Sequence, residues 1–134
     1  MKNTTLLILL SLFIISCDED NPTESIVNPI IGVWEWTETI LTTGSITQTT
    51  QSDDYHMTTY IFGEDGTFSY QISTEGVVES NSGTWSTTDN KLTMAVDVDT
   101  IISDFSINYN ILSISDIIEE EDVTYYRELK FIKQ

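Results

Sequence analysis

Phe62-Gly63-Glu64-Asp65-Gly66-Thr67-Phe68-Ser69-Tyr70-Gln71-Ile72-Ser73 is the stretch that decides the fold. After a glycine-bounded turn, Phe68, Tyr70 and Ile72 alternate with Thr67, Ser69, Gln71 and Ser73, the period of a strand with one buried face. Further along, Leu92, Met94, Val96 and Val98 alternate in the same way with Thr93, Ala95 and Asp97. Turn signals recur at Thr43-Gly44, Glu75-Gly76, Asp89-Asn90 and through Glu119-Glu120-Glu121-Asp122, and no segment from Ile30 onward has helical periodicity. The spacing predicts strands over 33–42, 45–51, 56–62, 67–73, 77–87, 91–98, 105–115 and 123–133. Within 105–115 the apolar phase flips at Ile111-Leu112, marking a bulge or a hidden turn, so eight strands can be nine. The fold class is all-β, an antiparallel up-and-down barrel of eight or nine strands, since closure leaves no exposed edge.

The composition limits what such a barrel can do. A chain of 134 residues forms one compact unit. With 22 acidic and 5 basic side chains its formal net charge is -17, which argues against a nucleic-acid partner, because that affinity comes from cations displacing phosphate counterions. One cysteine and one histidine exclude a disulfide framework and a Cys/His zinc cluster. No metal and no cofactor is expected.

The N-terminus supplies an address. Residues 6–15 are apolar except for Ser11, too short to cross a bilayer core that needs about 20 helical residues, and they read as a secretory signal. The run ends in Ile14-Ile15-Ser16-Cys17, which resembles the bacterial lipobox. The resemblance implies a signal peptide over 1–16, lipidation of Cys17, and attachment to the membrane through its acyl chains at about 0.8 kcal/mol per buried methylene. Cys17 is then consumed by lipid and is not a catalytic thiol. Residues 17–29 are polar and acidic, with Pro22 and Pro29, and read as a flexible tether; the barrel domain is expected over 30–134. Asp18-Glu19-Asp20 resembles the signal that sends some Gram-negative lipoproteins to the outer face of the outer membrane, although an aspartate after the cysteine retains others at the inner membrane. The expected location is the cell envelope, lipid-anchored, at the outer membrane.

A family resemblance enters at Gly32-Val33-Trp34, which is similar to the Gly-x-Trp signature of lipocalins and fatty-acid-binding proteins. Phe62-Gly63-Glu64-Asp65-Gly66-Thr67-Phe68, Gly83-Thr84-Trp85 and Lys91-Leu92-Thr93 follow in an order that resembles small lipocalin-like lipoproteins of Gram-negative bacteria over about residues 30–133. The resemblance implies a glycine bending the chain into the first strand and Trp34 closing one end of the barrel. The Thr-Asp-Tyr loop motif expected midway in lipocalins is missing, as is a C-terminal helix, so transport of a small apolar ligand is implied only loosely.

Arg127 is the residue that most needs a role. It shares a phase with Tyr125, Leu129 and Phe131 and so points into the barrel, where an unpaired charge costs several kcal/mol. The lipocalin resemblance implies a guanidinium packed over Trp34, while the fatty-acid-binding resemblance implies a clamp on a ligand carboxylate. A third reading pairs Arg127 with an in-phase acid or lets it reach water at a barrel end. With Arg127, Tyr125 and Tyr70 are the candidate ligand contacts.

Other residues are weaker candidates. His56 stands in a Thr-rich strand without a nucleophile and reads as a surface histidine. Asp97, Asp99 and Asp104 lack the spacing of a calcium loop and read as a solvated acidic rim. Trp36 and Trp85 read as core filling, unless Trp36 faces outward on an exposed patch. No nucleophile, base and orienting group can be assembled, so no enzyme is expected and no catalytic residue is assigned. Two functions remain: a monomeric, membrane-tethered binding protein for a small hydrophobic ligand, or an envelope interaction protein with a filled barrel and a recognition surface outside. Phe62, Phe68, Tyr70, Trp85, Met94, Phe105 and Tyr109 are bulky enough to fill so short a barrel.

Overall fold

The computed structural model describes residues 27–134, and all its regular structure is strand. Nine strands follow in chain order: β1 (Gly32–Thr43), β2 (Ile46–Gln51), β3 (His56–Phe62), β4 (Thr67–Thr74), β5 (Val77–Thr88), β6 (Lys91–Val96), β7 (Asp99–Asn108), β8 (Ile111–Glu120) and β9 (Val123–Lys133). β1 and β3 to β9 form an antiparallel barrel, closed by the β1–β9 ladder. β2 is the extra strand; it pairs only with the later half of β1, from Glu38↔Gln51 to Thr43↔Ile46, and all its residues are exposed. The signal over 1–16, Cys17 and most of the 17–29 tether lie outside the described residues. The end of the stretch read as tether is fastened to the barrel: Asn28 Nδ2 donates to Thr87 Oγ1 at 3.1 Å, and Lys133 Nζ donates to the Pro29 carbonyl at 3.1 Å.

Of the two readings of the phase flip at Ile111-Leu112, the hidden turn is the one present: Tyr109 turns the chain with φ +56°, and 105–115 is divided between β7 and β8. Left-handed aromatic residues are uncommon, so the turn is signalled by the phase flip and by Asn108 and Asn110 on either side, not by Tyr109 itself. Tyr109 is consequently 96% exposed and fills no interior. Strand 91–98 stops at Val96, where Asp97 takes φ +55° and begins the turn into β7. The register irregularity instead falls in β1, where Trp36 opposes Phe131 but Glu38 opposes Lys130. The extra residue, Thr37, accepts from the Ser52 amide at 2.8 Å and donates its hydroxyl to the Lys130 carbonyl at 3.1 Å. This bulge moves the inward row of β1 from Trp34 and Trp36 to Thr39 and Leu41.

The core occupies one end. Ile30, Trp34, Phe62, Phe68, Leu92, Met94, Leu112, Ile114 and Phe131 are buried, and the turns nearest them are 63–66, 89–90 and 109–110. Trp34 plugs this end: it is 0% exposed and its Nε1 donates to the Ile30 carbonyl at 2.6 Å. Gly32 has φ +135°, which favours glycine, and a Cβ there would lie 2.9 Å from Lys133 Cε, so this position is restricted twice. Phe62 and Phe68 pack at 5.1 Å between ring centres, and Trp85 seals the adjacent turn by donating Nε1 to the Gly63 carbonyl at 2.9 Å.

The other end is open. Ladder β1–β3 stops at Glu35↔Thr59, and ladder β7–β8 stops at Asp104↔Ser115. Beyond these rungs the barrel is two sheets, one of β3 to β7 and the other of β8, β9, β1 and β2. The closed end is packed solid; the open end holds the interior that remains.

Candidate functional site: the open end of the barrel

The pleat dictates which side chains line this interior. Antiparallel partners share a face, so Tyr60↔Tyr70↔Asn81, Trp85↔Met94↔Ile101 and Asp116↔Arg127 form inward rows across the sheets. The larger cavity, about 280 Å³, is bounded by Tyr60, Phe68, Tyr70, Ile72, Met94, Val96 and Ile101, with Asn81, Asp97 and Asp99 at its rim. A second, about 270 Å³, lies at the β1/β3 opening and is lined by Trp36, Thr39, Thr58, Tyr60, Ile72, Arg127, Leu129 and Phe131. Tyr60 and Ile72 line both, so these are two adjacent lobes of the open end with these two side chains between them. Neither is sealed from solvent: Ile101 is 49% exposed.

Arg127 faces inward, as its phase requires, and it is paired. Nε donates to Asp116 Oδ1 at 2.9 Å and Nη2 to Asp116 Oδ2 at 2.6 Å, a bidentate fork. The hydrogen bond to Asp116 raises the Arg127 pKa further above its ordinary value, against the opposing effect of burial. The cation at Trp34 is a different one: Lys133 Nζ sits 5.2 Å from the ring centre. The packing over Trp34 that the resemblance implied for Arg127 is therefore made by Lys133, because β9 reaches the closed end six residues after Arg127. Of the three readings, pairing with an in-phase acid is the arrangement present. The fork leaves Nη1 free, so a ligand carboxylate there would share a guanidinium that Asp116 already neutralises.

That pair contributes to stability. Arg127→Leu leaves the Asp116 carboxylate, 18% exposed, without its partner. With 34% of the Arg127 side chain in contact with water, the expected loss is about 1 to 2 kcal/mol, below that for a fully buried pair. The double variant Arg127→Leu/Asp116→Leu is expected to recover most of it. Urea denaturation of the two variants measures the difference.

The remaining candidates fall in different places. Tyr70 lines the larger lobe, whereas Tyr125 lies in a third hollow of about 180 Å³ with Leu41, Thr43, Ile46 and Gln48, on the face of the β2–β1–β9 sheet. Asp104 is at the closed end, bound to Lys91 Nζ at 2.8 Å and to Asn90 Nδ2 at 3.0 Å, far from the rim formed by Asp97 and Asp99. His56, the first residue of β3, keeps Nδ1 3.0 Å from Asp53 Oδ1 in the exposed β2–β3 loop, and this contact holds Asp53 below the usual carboxylate range. Trp36 is half-buried and lines the second lobe, with Nε1 donating to Thr39 Oγ1 at 3.0 Å.

The residue that sequence reasoning passes over is Tyr60. It stands between the lobes, its ring 4.6 Å from Phe131 and 5.2 Å from Phe68 between centres. Burial pushes its phenol above the usual range, only partly offset by the Arg127 charge, so it is a neutral donor and acceptor across the physiological range. Its phase with Phe62 was readable; its proximity to Arg127 needed the registers of β3, β1 and β9.

Charge is distributed unevenly along the barrel. The open-end loops carry Asp53 and Asp54, Glu75, Asp97 and Asp99, and Glu119 to Asp122, while Lys91, Lys130 and Lys133 lie toward the closed end. Lys130 there is held by Glu38 Oε1 at 2.7 Å. The mouth therefore has negative potential, and the interior below it is aromatic.

Comparison with known families agrees with this geometry. A model of the lipocalin-like domain matches residues 30–126. The chain belongs to the lipocalin-like domain family. The matched span begins at Ile30, the residue that binds the Trp34 indole, and stops inside β9, so the rungs of this lipocalin-like barrel that β9 makes from Arg127 onward lie past it. No curated protein matches the chain.

Proposed function

We propose that this lipocalin-like protein is a non-catalytic binding protein, tethered to the cell envelope through lipid on Cys17, that holds a small apolar molecule in the open end of its barrel. One observation carries the reading: packing fills only the closed end, and the remainder is an aromatic interior of two lobes, about 280 and 270 Å³, meeting at Tyr60. Such lobes approach the size range of ligand pockets, and their few polar groups, Tyr60, Asn81 and the Arg127–Asp116 fork, give orientation. Trp36 reports on the second lobe, so titration of the purified protein with decanol is expected to change tryptophan emission saturably. An emission that does not saturate overturns the reading. For the tether, Cys17→Ser is expected to move the protein from the membrane to the soluble fraction; continued labelling of that variant by an acyl-chain probe refutes it.

A second reading has its own observation. Ile102 and Ile117 are 62% and 69% exposed on the outer faces of β7 and β8, and Tyr126, opposite Ile117, is 47% exposed. These exposed apolar side chains, Ile117 and Tyr126 on one sheet and Ile102 on the other, support an envelope interaction protein, which contacts protein or glycan from outside the barrel.

A further inference from the structure

We propose that the larger lobe is selective for amphiphilic cations, with the apolar body of the ligand against Tyr60, Phe68 and Tyr70 and its positive end at Asp97 and Asp99. This rests on the binding reading above and goes beyond it by assigning the ligand a charge.

The lining of the cavity carries the argument. Its ionisable carboxylates are Asp97 and Asp99, and no lysine or arginine among the described residues contributes to its wall. Asp97 is held in place: its φ is +55° and its Oδ2 accepts from Asn81 Nδ2 at 2.7 Å. An amide donor neutralises no charge, so the carboxylate retains its attraction for a cation. Beneath this rim the wall is aromatic, and the faces of tyrosine and phenylalanine rings attract cations as well as apolar groups. The basic side chain of the neighbouring lobe, Arg127, is already neutralised by Asp116 through Nε and Nη2, so an anionic headgroup gains less there than at an unpaired cation.

The acidic loops around the mouth add a long-range field that steers cations in and repels anions.

Decylamine, decanol and decanoate share a chain and differ in charge, so they separate the possibilities when titrated into the purified protein by calorimetry, a readout that does not depend on a tryptophan in the larger lobe. Decylamine is expected to displace decanol competitively and bind about fivefold to tenfold tighter at low ionic strength, as two partly exposed carboxylates allow. The advantage is expected to shrink in high salt. In Asp97→Asn/Asp99→Asn the ratio of the two dissociation constants should fall toward one. Asparagine tolerates the left-handed conformation at position 97, so the variant is compatible with the turn. Equal binding of amine and alcohol overturns the charge assignment and leaves the binding reading standing. Tightest binding by decanoate, or an amine advantage that persists in the double variant, also overturns it. If none of the three binds saturably, the binding reading itself is wrong and the assignment falls with it.

Discussion

Trp34→Ala is expected to lower the free energy of unfolding by about 3 to 5 kcal/mol, the cost of truncating a large, fully buried side chain. Trp34 has no exposed surface, and three groups are arranged on it. The Ile30 carbonyl accepts from its Nε1 at 2.6 Å, Lys133 Nζ lies 5.2 Å over its ring, and Gly32 at φ +135° lets the chain turn beneath it. Alanine would leave a void at the closed end, strand the buried Ile30 carbonyl, and free Lys133 from its ring. Trp34→Phe separates these contributions, since it keeps most of the apolar volume and loses only the indole donor; about 1 to 3 kcal/mol is expected for that loss. Chemical denaturation, read as a shift in midpoint at constant slope, measures both. A cost below about 1 kcal/mol for Trp34→Ala would mean that the closed end does not depend on its plug.

The strands were readable because the barrel has one wet face and one dry face. Phe68, Tyr70 and Ile72 announce β4 by alternation, and Leu92, Met94 and Val96 announce β6, since each strand presents every second residue to the interior. What was hidden depended on residues acting against their preferences. Tyr109 turns in a left-handed conformation that aromatics seldom adopt, so the break between β7 and β8 shows only as a phase flip that a bulge would also give. Thr37 is an ordinary strand former whose bulge shows only in the register with β9. Polar threonines also conceal where β1 changes partner from β3 to β2, because the break carries no glycine or proline.

The candidate site was legible in part for the same reason. Phase alone turns Arg127 inward, and it equally turns Asp116 inward through Leu112 and Ile114, so their pairing follows once β8 and β9 are placed side by side. The choice between Arg127 and Lys133 at Trp34 could not be read, because it depends on how far β9 has advanced when it meets β1. Nor could the half-filled interior. Bulky side chains suggested a solid barrel, but whether they crowd one end is a property of strand tilt and of the two ladders that stop early.

Gly83→Ala is expected to be the most damaging small substitution, costing at least about 3 kcal/mol or preventing folding. The reason is space. A Cβ at position 83 would overlap the Ala95 carbonyl oxygen of β6, with the Ala95 carbonyl carbon at 2.8 Å and Val96 Cα at 3.0 Å. The obstacle is backbone, which no rotamer change can clear. Moving β6 away would withdraw Leu92 and Met94 from the core, and moving β5 would disturb Phe68, the partner of Gly83 on its other side. Phe68 and Val96 also wall the larger lobe, so any variant that folds should bind decanol more weakly. Gly44→Ala is the control: its φ is +56° and a Cβ there meets nothing within 4 Å, so it carries only the conformational cost of about 1 to 2 kcal/mol. Thermal and urea denaturation of the two variants side by side test the close approach of β5 to β6. If Gly83→Ala is no more destabilised than Gly44→Ala, these strands are farther apart than the overlap requires, and the wall of the larger lobe is not fixed by this glycine.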